Sequence, residues 1–505
     1  MQPLICVPIT ETKAEAFLNA IEEAAQVADI IELRLDYLDE DDLAKLLVEL
    51  SQHEVIKPLL FTFRPREQGG RRDLTLADRL SFWRNLPNEI AALIQFADFE
   101  LDLVEHLAAQ TPPIPWHKVI CSQHNFDETP ANLHEIYERI ARTPAAIVKI
   151  ATKANCIADC LPLFDLMQRG EKPVIILGMG LPGIATRILA LSRGAMLTFG
   201  ALKRGAESAS GQPSATELRE LYRAHELTQQ SEIYGVIGNP IGHSRSPLIH
   251  NAALKAIGRD GVYLPLEVDD AAEFIRDFVH PKTKKLNWNL RGLSVTIPHK
   301  LSVMPHLDFI SPAAQAVGAV NTLIVKGDEL HGDNTDVIGA MKPLEELLDV
   351  KGARAAIIGA GGAARAICYG LQQRGASVTI YARDVHKAQM LADEFNVQAA
   401  SITDSHGNAD LVINCTPVGM QGHLSNNEAG TSPINADTLR NVQLVYDLIY
   451  NPLETQLLKD AKAAGCQTLG GMAMLLGQAA EQFRLWTGED APLDVMWRSI
   501  QYSER

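Results

Sequence analysis

The chain is poor in several things at once. It has 7 cysteines in 505 residues, an odd number and scattered. Cys156 and Cys160 have three residues between them, which is not CxxC spacing, and no Cys/His cluster has zinc-ligand spacing. A disulfide scaffold and a zinc module are therefore excluded, and a reduced, cytoplasmic compartment is expected. Basic charge is also short: Lys and Arg total 46 against 62 Asp and Glu, a net of −16. That balance argues against a general nucleic-acid or anionic-membrane binder. No apolar run reaches the roughly 18 residues of a membrane span. The opening MQPLICVPIT lacks a basic start followed by an apolar stretch, and it is not Arg/Ser-rich, so it reads as a first strand. What remains, 46% hydrophobic and 21% charged residues, is globular composition, and the length exceeds one core. Two or three domains are expected.

Eight short apolar runs punctuate the first 220 or so residues: LICVPI (4–9), IIELRLD (30–36), LLFTFR (59–64), FADFEL (96–101), KVICSQH (118–124), AIVKIA (146–151), VIILGM (174–179) and MLTFGA (196–201). Amphipathic stretches lie between them. In the first, Phe17, Ile21, Ala24 and Ala28 share one helical face. Eight β-then-α units in series predict a closed (β/α)8 barrel, whose reactive groups sit at the strands' C-terminal ends. Those ends carry Glu32, Arg34, Arg64, Asp98, Glu100, Ser122, His124 and Lys149. So many polar groups in apolar strands must meet one another or a ligand. A shielded lysine can attack a carbonyl as an amine, and a histidine can move protons near neutral pH. Arg34, Arg64 and Arg187 could bind a carboxylate through paired donors. Taken singly, each has a plainer reading: a snorkelling lysine, a structural histidine, a Glu32–Arg34 salt bridge.

The pieces ELRLD, TFR followed by a Gly pair, SQHNFDETP, IVKIA and TRILALSRGAMLTFGA followed by SASGQ together resemble type I 3-dehydroquinate dehydratase over residues 1–223. The resemblance implies that Lys149 forms an imine with the ketone of 3-dehydroquinate. His124 then removes the adjacent proton and helps a hydroxyl leave as water, giving 3-dehydroshikimate. It further implies that Glu32, Arg34, Arg64 and Arg187 bind substrate and that Ser208 and Gln212 belong to a lid. On composition alone AESASGQPSA would be a flexible linker. One position departs from the family: Gln68 stands where Glu commonly precedes the Gly pair to orient the histidine. Gln68 can hydrogen-bond an imidazole but cannot stabilise imidazolium by charge.

The polar stretch AHELTQQSE (224–232) reads as a helix end and a short connector, followed by a strand at IYGVIG (233–238). Later, ARAAIIGAGGAARAICYGLQQRG is a strand, a glycine turn and a helix. Its turn, Gly359-Ala360-Gly361-Gly362-Ala363-Ala364, has the GxGxxA spacing of a dinucleotide site. The next strand, 377–383, ends on Arg383 instead of an acid. With Lys387 it could face a ribose 2′-phosphate, which favours NADP over NAD; a solvated charge pair beside Asp384 is the alternative. Runs at 410–417 and 444–450 complete a doubly wound sheet. GNPIGHSRSP, GLSVTIPHK, GAVNT and GDNTD supply hydroxyls and amides for a polyol, and Lys and Asp for proton transfer.

Those motifs, with GAGGAAR, NCTPVGM, YDLIYNPLET and GMAMLLGQAAEQF, resemble shikimate dehydrogenase over 233–505. The resemblance implies a catalytic pair, Lys300 and Asp336, with shikimate contacts from Ser244, Ser246, Thr296, Asn321, Tyr450 and Gln478. NADP contacts would come from Gly359, Ala360, Gly361, Gly362, Arg383 and Lys387, with Thr416, Gly471 and Met474 on the nicotinamide side. Ser294 replaces a common Asn, and Ala382 the Asn of a usual Asn-Arg pair.

The fold expectation is thus an α/β chain: an N-terminal barrel (1–223) followed by a two-lobed α/β dehydrogenase. The latter has a substrate domain (233–338, completed by 473–505) and a Rossmann-type nucleotide domain (339–472), with a cleft that opens and closes about the connecting helices. Its expected partners are the small-molecule substrates 3-dehydroquinate, 3-dehydroshikimate and shikimate, with no nucleic acid, membrane or metal. Quinate with NAD is the alternative substrate pair, although Ser244 and Ser246 favour shikimate. A non-enzymatic sensor would have lost Lys149, His124, Lys300 or Asp336, and all four are present.

Overall fold

The computed structural model describes residues 4–52, 56–404, 409–421 and 431–501. Its first half holds eight parallel strands: Leu4–Ile9 (β1), Ile30–Arg34 (β2), Leu59–Thr62 (β3), Ile94–Glu100 (β4), Val119–Asn125 (β5), Ile147–Lys153 (β6), Val174–Met179 (β7) and Leu197–Phe199 (β8). They pair in the order β7-β6-β5-β4-β3-β2-β1-β8. The ring is nearly closed: the Met196 N–H donates to the Val174 carbonyl at 2.8 Å beside a Val174–Ala195 bridge.

Strand pleat explains how the barrel can be both a core and a site. Side chains two apart on a strand share a face. Cys6, Ile30, Leu60, Ile120, Ile147, Ile175 and Leu197 form one apolar cluster inside the ring. Two positions further along, the same inward face becomes Glu32, Thr62, Ser122 and Lys149. The alternate residues, among them Val7, Ile31, Phe61, Phe99, Val148 and Ile176, pack under the surrounding helices. Helix Ala14–Ala24 buries Phe17, Ile21 and Ala24, the stripe its sequence predicts.

The second half contains two six-stranded sheets. The first comprises Glu232–Gly238 (β9), Gly261–Glu267 (β10), Leu290–Val295 (β11), Phe309–Ile310 (β12), Thr322–Lys326 (β13) and Glu329–Asp333 (β14). Its order is β10-β9-β11-β13-β14-β12, parallel around β9 and antiparallel where β13 meets β11 and β14. The second comprises Arg354–Ile358 (β15), Ser377–Ala382 (β16), Gln398–Ser401 (β17), Leu411–Asn414 (β18), Leu444–Asp447 (β19) and Gln467–Gly470 (β20). It is all parallel in the order β17-β16-β15-β18-β19-β20. Strand order reverses between β15 and β18, the crevice where doubly wound sheets bind ligands.

Helices Asp336–Glu345 and Gly471–Thr487 pack on each other where a Cβ on Gly339 would lie 2.6 Å from the Gln478 nitrogen. A larger residue there would push the pair apart. The second of these helices carries Phe483 and Trp486 into the core of the β9 sheet, joined by Met496 and Ile500 from helix Leu493–Gln501.

The connector differs from its expected form. The helical turn ends at Leu221, Arg223 takes a φ of 49°, and 224–231 run as turns. The Arg223 guanidinium donates to the Gly261 carbonyl at 2.8 Å, and the Arg193 guanidinium to the Asn287 carbonyl at 2.6 Å, so the barrel is tied to the β9 sheet. Among the described residues no helix is long and apolar enough to cross a membrane.

Candidate active sites

Adjacent strand registers bring the barrel's polar ends together. Ser122 lies opposite Lys149, and Glu100 opposite Ser122. The Lys149 ammonium donates to Asp98 at 2.6 Å, lies 3.8 Å from Glu32, and sits 4.5 Å from the centre of the Phe199 ring. The Arg64 guanidinium also reaches Asp98 at 2.6 Å and Glu100 at 3.4 Å. Burial works against the Asp98 carboxylate, yet Arg64 and Lys149 hold its pKa well below the usual range. Glu100 is one neighbour further out. Its burial beside Asp98 pushes it up to about 7, although Arg64 and Arg79 pull the other way. Asp98 is visible in the sequence as a polar strand end, but its place between two cations comes from register.

Of the three arginines expected to reach a carboxylate, two already have acidic partners. Arg34 holds Asp36 through two bonds of 3.0 and 2.9 Å, and Arg64 holds Asp98. Arg187, in helix Ile184–Ile188, is 2% exposed, and its guanidinium has no acidic partner among the described residues. Burial alone lowers it to about 10. An unpaired buried cation is costly until an anion arrives.

Gln68 acts differently from the expectation. Its Oε1 accepts from the backbone N–H of His124 at 2.9 Å and not from the imidazole. The turn is possible because Gly69 (φ +85°) lies against Phe126, where a Cβ would come within 2.1 Å of the ring. His124 Nδ1 is buried without a partner among the described residues. Burial, then Arg64 and Lys149, hold His124 well below the ordinary imidazole range.

Residues 207–212 are a docked loop, which corrects the composition-based linker. Gly180 N–H donates to the Ser210 carbonyl at 2.9 Å, and a Cβ on Gly211 (φ +69°) would lie 2.5 Å from Gly180. Gln212 Oε1 accepts from both the N–H and the hydroxyl of Ser208 at 3.0 Å. Its Nε2 is buried and unpartnered among the described residues.

In the second half, Lys300 Nζ donates to Asp336 Oδ2 at 2.5 Å. Asn321 Nδ2 donates to Asp336 Oδ1 at 2.8 Å, fixing the carboxylate from the other side. A Cβ on Gly362 would lie 3.4 Å from Lys300 Cδ, so the lysine reaches the glycine turn. Around this pair, Thr296 follows β11 and its N–H donates to the Ile237 carbonyl. Ser244 Oγ accepts from the Ser246 N–H at 3.3 Å. Gln478 lies on helix Gly471–Thr487 with its amide on the Leu475 carbonyl, and Tyr450 follows β19, its hydroxyl pushed up by burial.

The glycine turn fits a dinucleotide. Gly361 caps helix Gly362–Gln372, and a Cβ there would meet nothing within 4 Å. Gly359 (φ +108°) approaches Thr416, whose hydroxyl is held by Asn414 at 2.7 Å. Ala360 is half-buried beside it. Gly471 comes so close to the Leu448 carbonyl that no Cβ fits, and Met474 is buried one turn on. Asp384 is spent on the backbone N–H groups of His386 and Lys387. Arg383 and Lys387 are exposed with no acidic partner among the described residues, as a 2′-phosphate site requires.

Fold and sites define a class: a barrel lyase fused to a nucleotide-dependent oxidoreductase. The family model for type I 3-dehydroquinase matches residues 5–229. Models for the shikimate dehydrogenase substrate binding domain, shikimate/quinate 5-dehydrogenase and the shikimate 5'-dehydrogenase C-terminal domain match 236–323, 342–448 and 471–501. The chloroplastic bifunctional 3-dehydroquinate dehydratase/shikimate dehydrogenase of Arabidopsis thaliana is 34% identical over 522 residues, 98% of this chain and 84% of the relative. Shikimate dehydrogenase (NADP(+)) of Oleidesulfovibrio alaskensis is 42% identical over 52% of this chain and 91% of its own. A crystal structure of shikimate dehydrogenase in complex with NADP+ aligns with a TM-score of 0.51 and 38% identity, over 55% of this chain and 97% of that one. The chain belongs to the bifunctional 3-dehydroquinate dehydratase/shikimate dehydrogenase family. It is a lyase and an NADP-dependent oxidoreductase of the shikimate pathway, which leads to chorismate and aromatic amino acids.

Proposed function

We propose that the barrel (1–223) dehydrates 3-dehydroquinate through an imine on Lys149, and that 233–505 then reduces the 3-dehydroshikimate formed. The observation that carries the first step is the water-excluded cluster of Lys149, Asp98, Glu32 and His124. Lys149 Nζ, once deprotonated, adds to the ketone carbon, and the carbonyl oxygen leaves as water. Neutral His124 takes the adjacent proton. The electron pair moves toward the imine nitrogen and returns to expel the hydroxyl, which leaves as water with the proton from His124. Hydrolysis of the C=N bond frees the product. Arg187 binds the substrate carboxylate, because its charge is uncompensated, while Arg34, Arg64 and Glu32 fix the ring hydroxyls. Ser208 and Gln212 cover the site, with the free Gln212 amide as donor.

In the second half, residues 233–338 with 473–505 hold the substrate and 339–472 the nucleotide. Ser244, Ser246, Thr296, Asn321, Tyr450 and Gln478 surround the hydroxyls and carboxylate of the ring. Lys300 donates a proton to the ketone oxygen on reduction and accepts it on oxidation, with Asp336 holding its amine in place. When bound, NADPH supplies the hydride for the ketone carbon. Gly359, Ala360, Gly361 and Gly362 hold its pyrophosphate, Arg383 and Lys387 its 2′-phosphate, and Thr416, Gly471 and Met474 flank the nicotinamide. Its partners are these small molecules. The seven free thiols suit a cytoplasmic setting.

Borohydride trapping tests the imine. Reduction in the presence of 3-dehydroquinate should fix one adduct on the peptide containing Lys149 and abolish dehydratase activity. Dehydration that proceeds unimpeded by borohydride, with no adduct on Lys149, would contradict it.

A further inference from the structure

Gln482 lies one helical turn beyond Gln478 on helix Gly471–Thr487, facing the same way. It is 1% exposed, and every one of its polar atoms is used. The Tyr263 hydroxyl, kept protonated by burial, donates to Ser294 Oγ at 2.6 Å. Ser294 therefore turns its own hydrogen toward Gln482 Oε1, at 2.7 Å. That fixes which end of the Gln482 amide points inward. Its Nε2 then donates to the Asn321 carbonyl and to Thr322 Oγ1, both at 3.1 Å. Thr322, receiving one hydrogen, sends its own to Asn321 Oδ1 at 2.7 Å. With Oδ1 also occupied by the Thr335 N–H at 2.8 Å, Asn321 can present only Nδ2 to Asp336, at 2.8 Å. Each link is a donor-to-acceptor step, so the chain has one direction.

We propose that Gln482 is a positioning residue for the dehydrogenase reaction, aligning the Asn321 amide that holds Asp336 beside Lys300. Ser294, where the family commonly has Asn, is its partner: a short hydroxyl there leaves room for the longer amide of Gln482. The proposal deepens the reading of Lys300 and Asp336 as the catalytic pair and rests on it.

The test uses the full chain, with folded dehydrogenase sites counted by titration of NADP binding and the dehydratase rate as a control for the barrel. Gln482→Met keeps length and volume but neither donates nor accepts in this chain. It should lower kcat for shikimate oxidation about tenfold per folded chain and shift the midpoint of the kcat–pH profile. KM for NADP should stay within about twofold. Gln482→Glu retains the Ser294 acceptor but loses the inward donors, and should lose as much as Met. Should Gln482→Met fail to fold, Ser294→Ala with Gln482→Leu removes the Ser294–Gln482 hydrogen bond from both sides, so neither member of that pair is left unsatisfied. The same loss and pH shift are expected of it. Wild-type kcat and pH profile in whichever of these folds would overturn the proposal, as would a loss that vanishes after normalisation to NADP-binding sites. Lys300→Ala is the control: if it keeps dehydrogenase activity, the catalytic-pair reading itself fails. If it is inactive while Gln482→Met is normal, only the role of Gln482 falls.

Discussion

The two sites treat charge in opposite ways. In the barrel, Lys149, Arg64, Arg34 and Asp98 are all buried and already paired with one another or with Asp36. In the cleft half, Lys300 keeps 16% of its side chain exposed, and Arg383 and Lys387 stand in solvent. The chemistry accounts for the contrast. The imine proposed for the barrel must be kept from stray water, which a dry site with mutually compensated charges provides. An oxidoreductase exchanges a dinucleotide in each turnover, and its 2′-phosphate site must be reachable. Arg187 is the exception in the barrel: buried, yet uncompensated among the described residues.

That exception gives the sharpest way to break the comparison. Arg187→Gln should raise KM for 3-dehydroquinate about 30- to 100-fold, the loss of a buried charge-assisted pair worth about 2–3 kcal/mol. Steady-state kinetics on both activities check it, and the dehydrogenase constants should not move. Unchanged KM would mean that the carboxylate is bound elsewhere. On the exposed side the effect is smaller. Arg383→Ala should raise KM for NADP about tenfold, by roughly 1.4 kcal/mol, and leave KM for NAD nearly unchanged. An equal loss with both cofactors would remove the arginine from the 2′-phosphate.

The smallest effect concerns pH. Burial and the neighbouring cations hold His124 below the ordinary imidazole value of about 6.5. Its folded pKa is thus below its unfolded one, and the unfolded chain takes up the proton first as pH falls. The stability tied to this group is complete above the unfolded value and is lost progressively as pH falls from it through the lower folded value. In the proposed reaction the same shift keeps the His124 imidazole neutral and able to take a proton. Dehydratase kcat/KM should change less than about twofold between pH 7.5 and roughly 6, where an unshifted histidine would already be mostly protonated. A profile with a midpoint near 6.5 would contradict the buried, cation-flanked setting.

Much of this was legible in the residues. All eight barrel runs are strands, because apolar runs bounded by turns have few alternatives, and the GxGxxA turn sits between a strand and a helix as its spacing requires. Register was not legible. Nothing local says that Asp98 lands between Arg64 and Lys149, or that Gln68 spends its oxygen on the His124 backbone. The loop 207–212 has linker composition, and its docking depends on Gly211 meeting Gly180, a contact between distant glycines. Gln482 had a signal, its i,i+4 relation to Gln478, but its partners come from strands more than 150 residues away.

The central claim is that one chain carries two sites that work in sequence. The most direct test follows 3-dehydroquinate with the purified chain, first alone and then with NADPH. Enone absorbance should rise without cofactor. On addition of NADPH it should fall, with one NADPH oxidised per 3-dehydroshikimate consumed. Enone that accumulates while NADPH stays intact, or no enone at all while 3-dehydroshikimate is still reduced, would contradict the account.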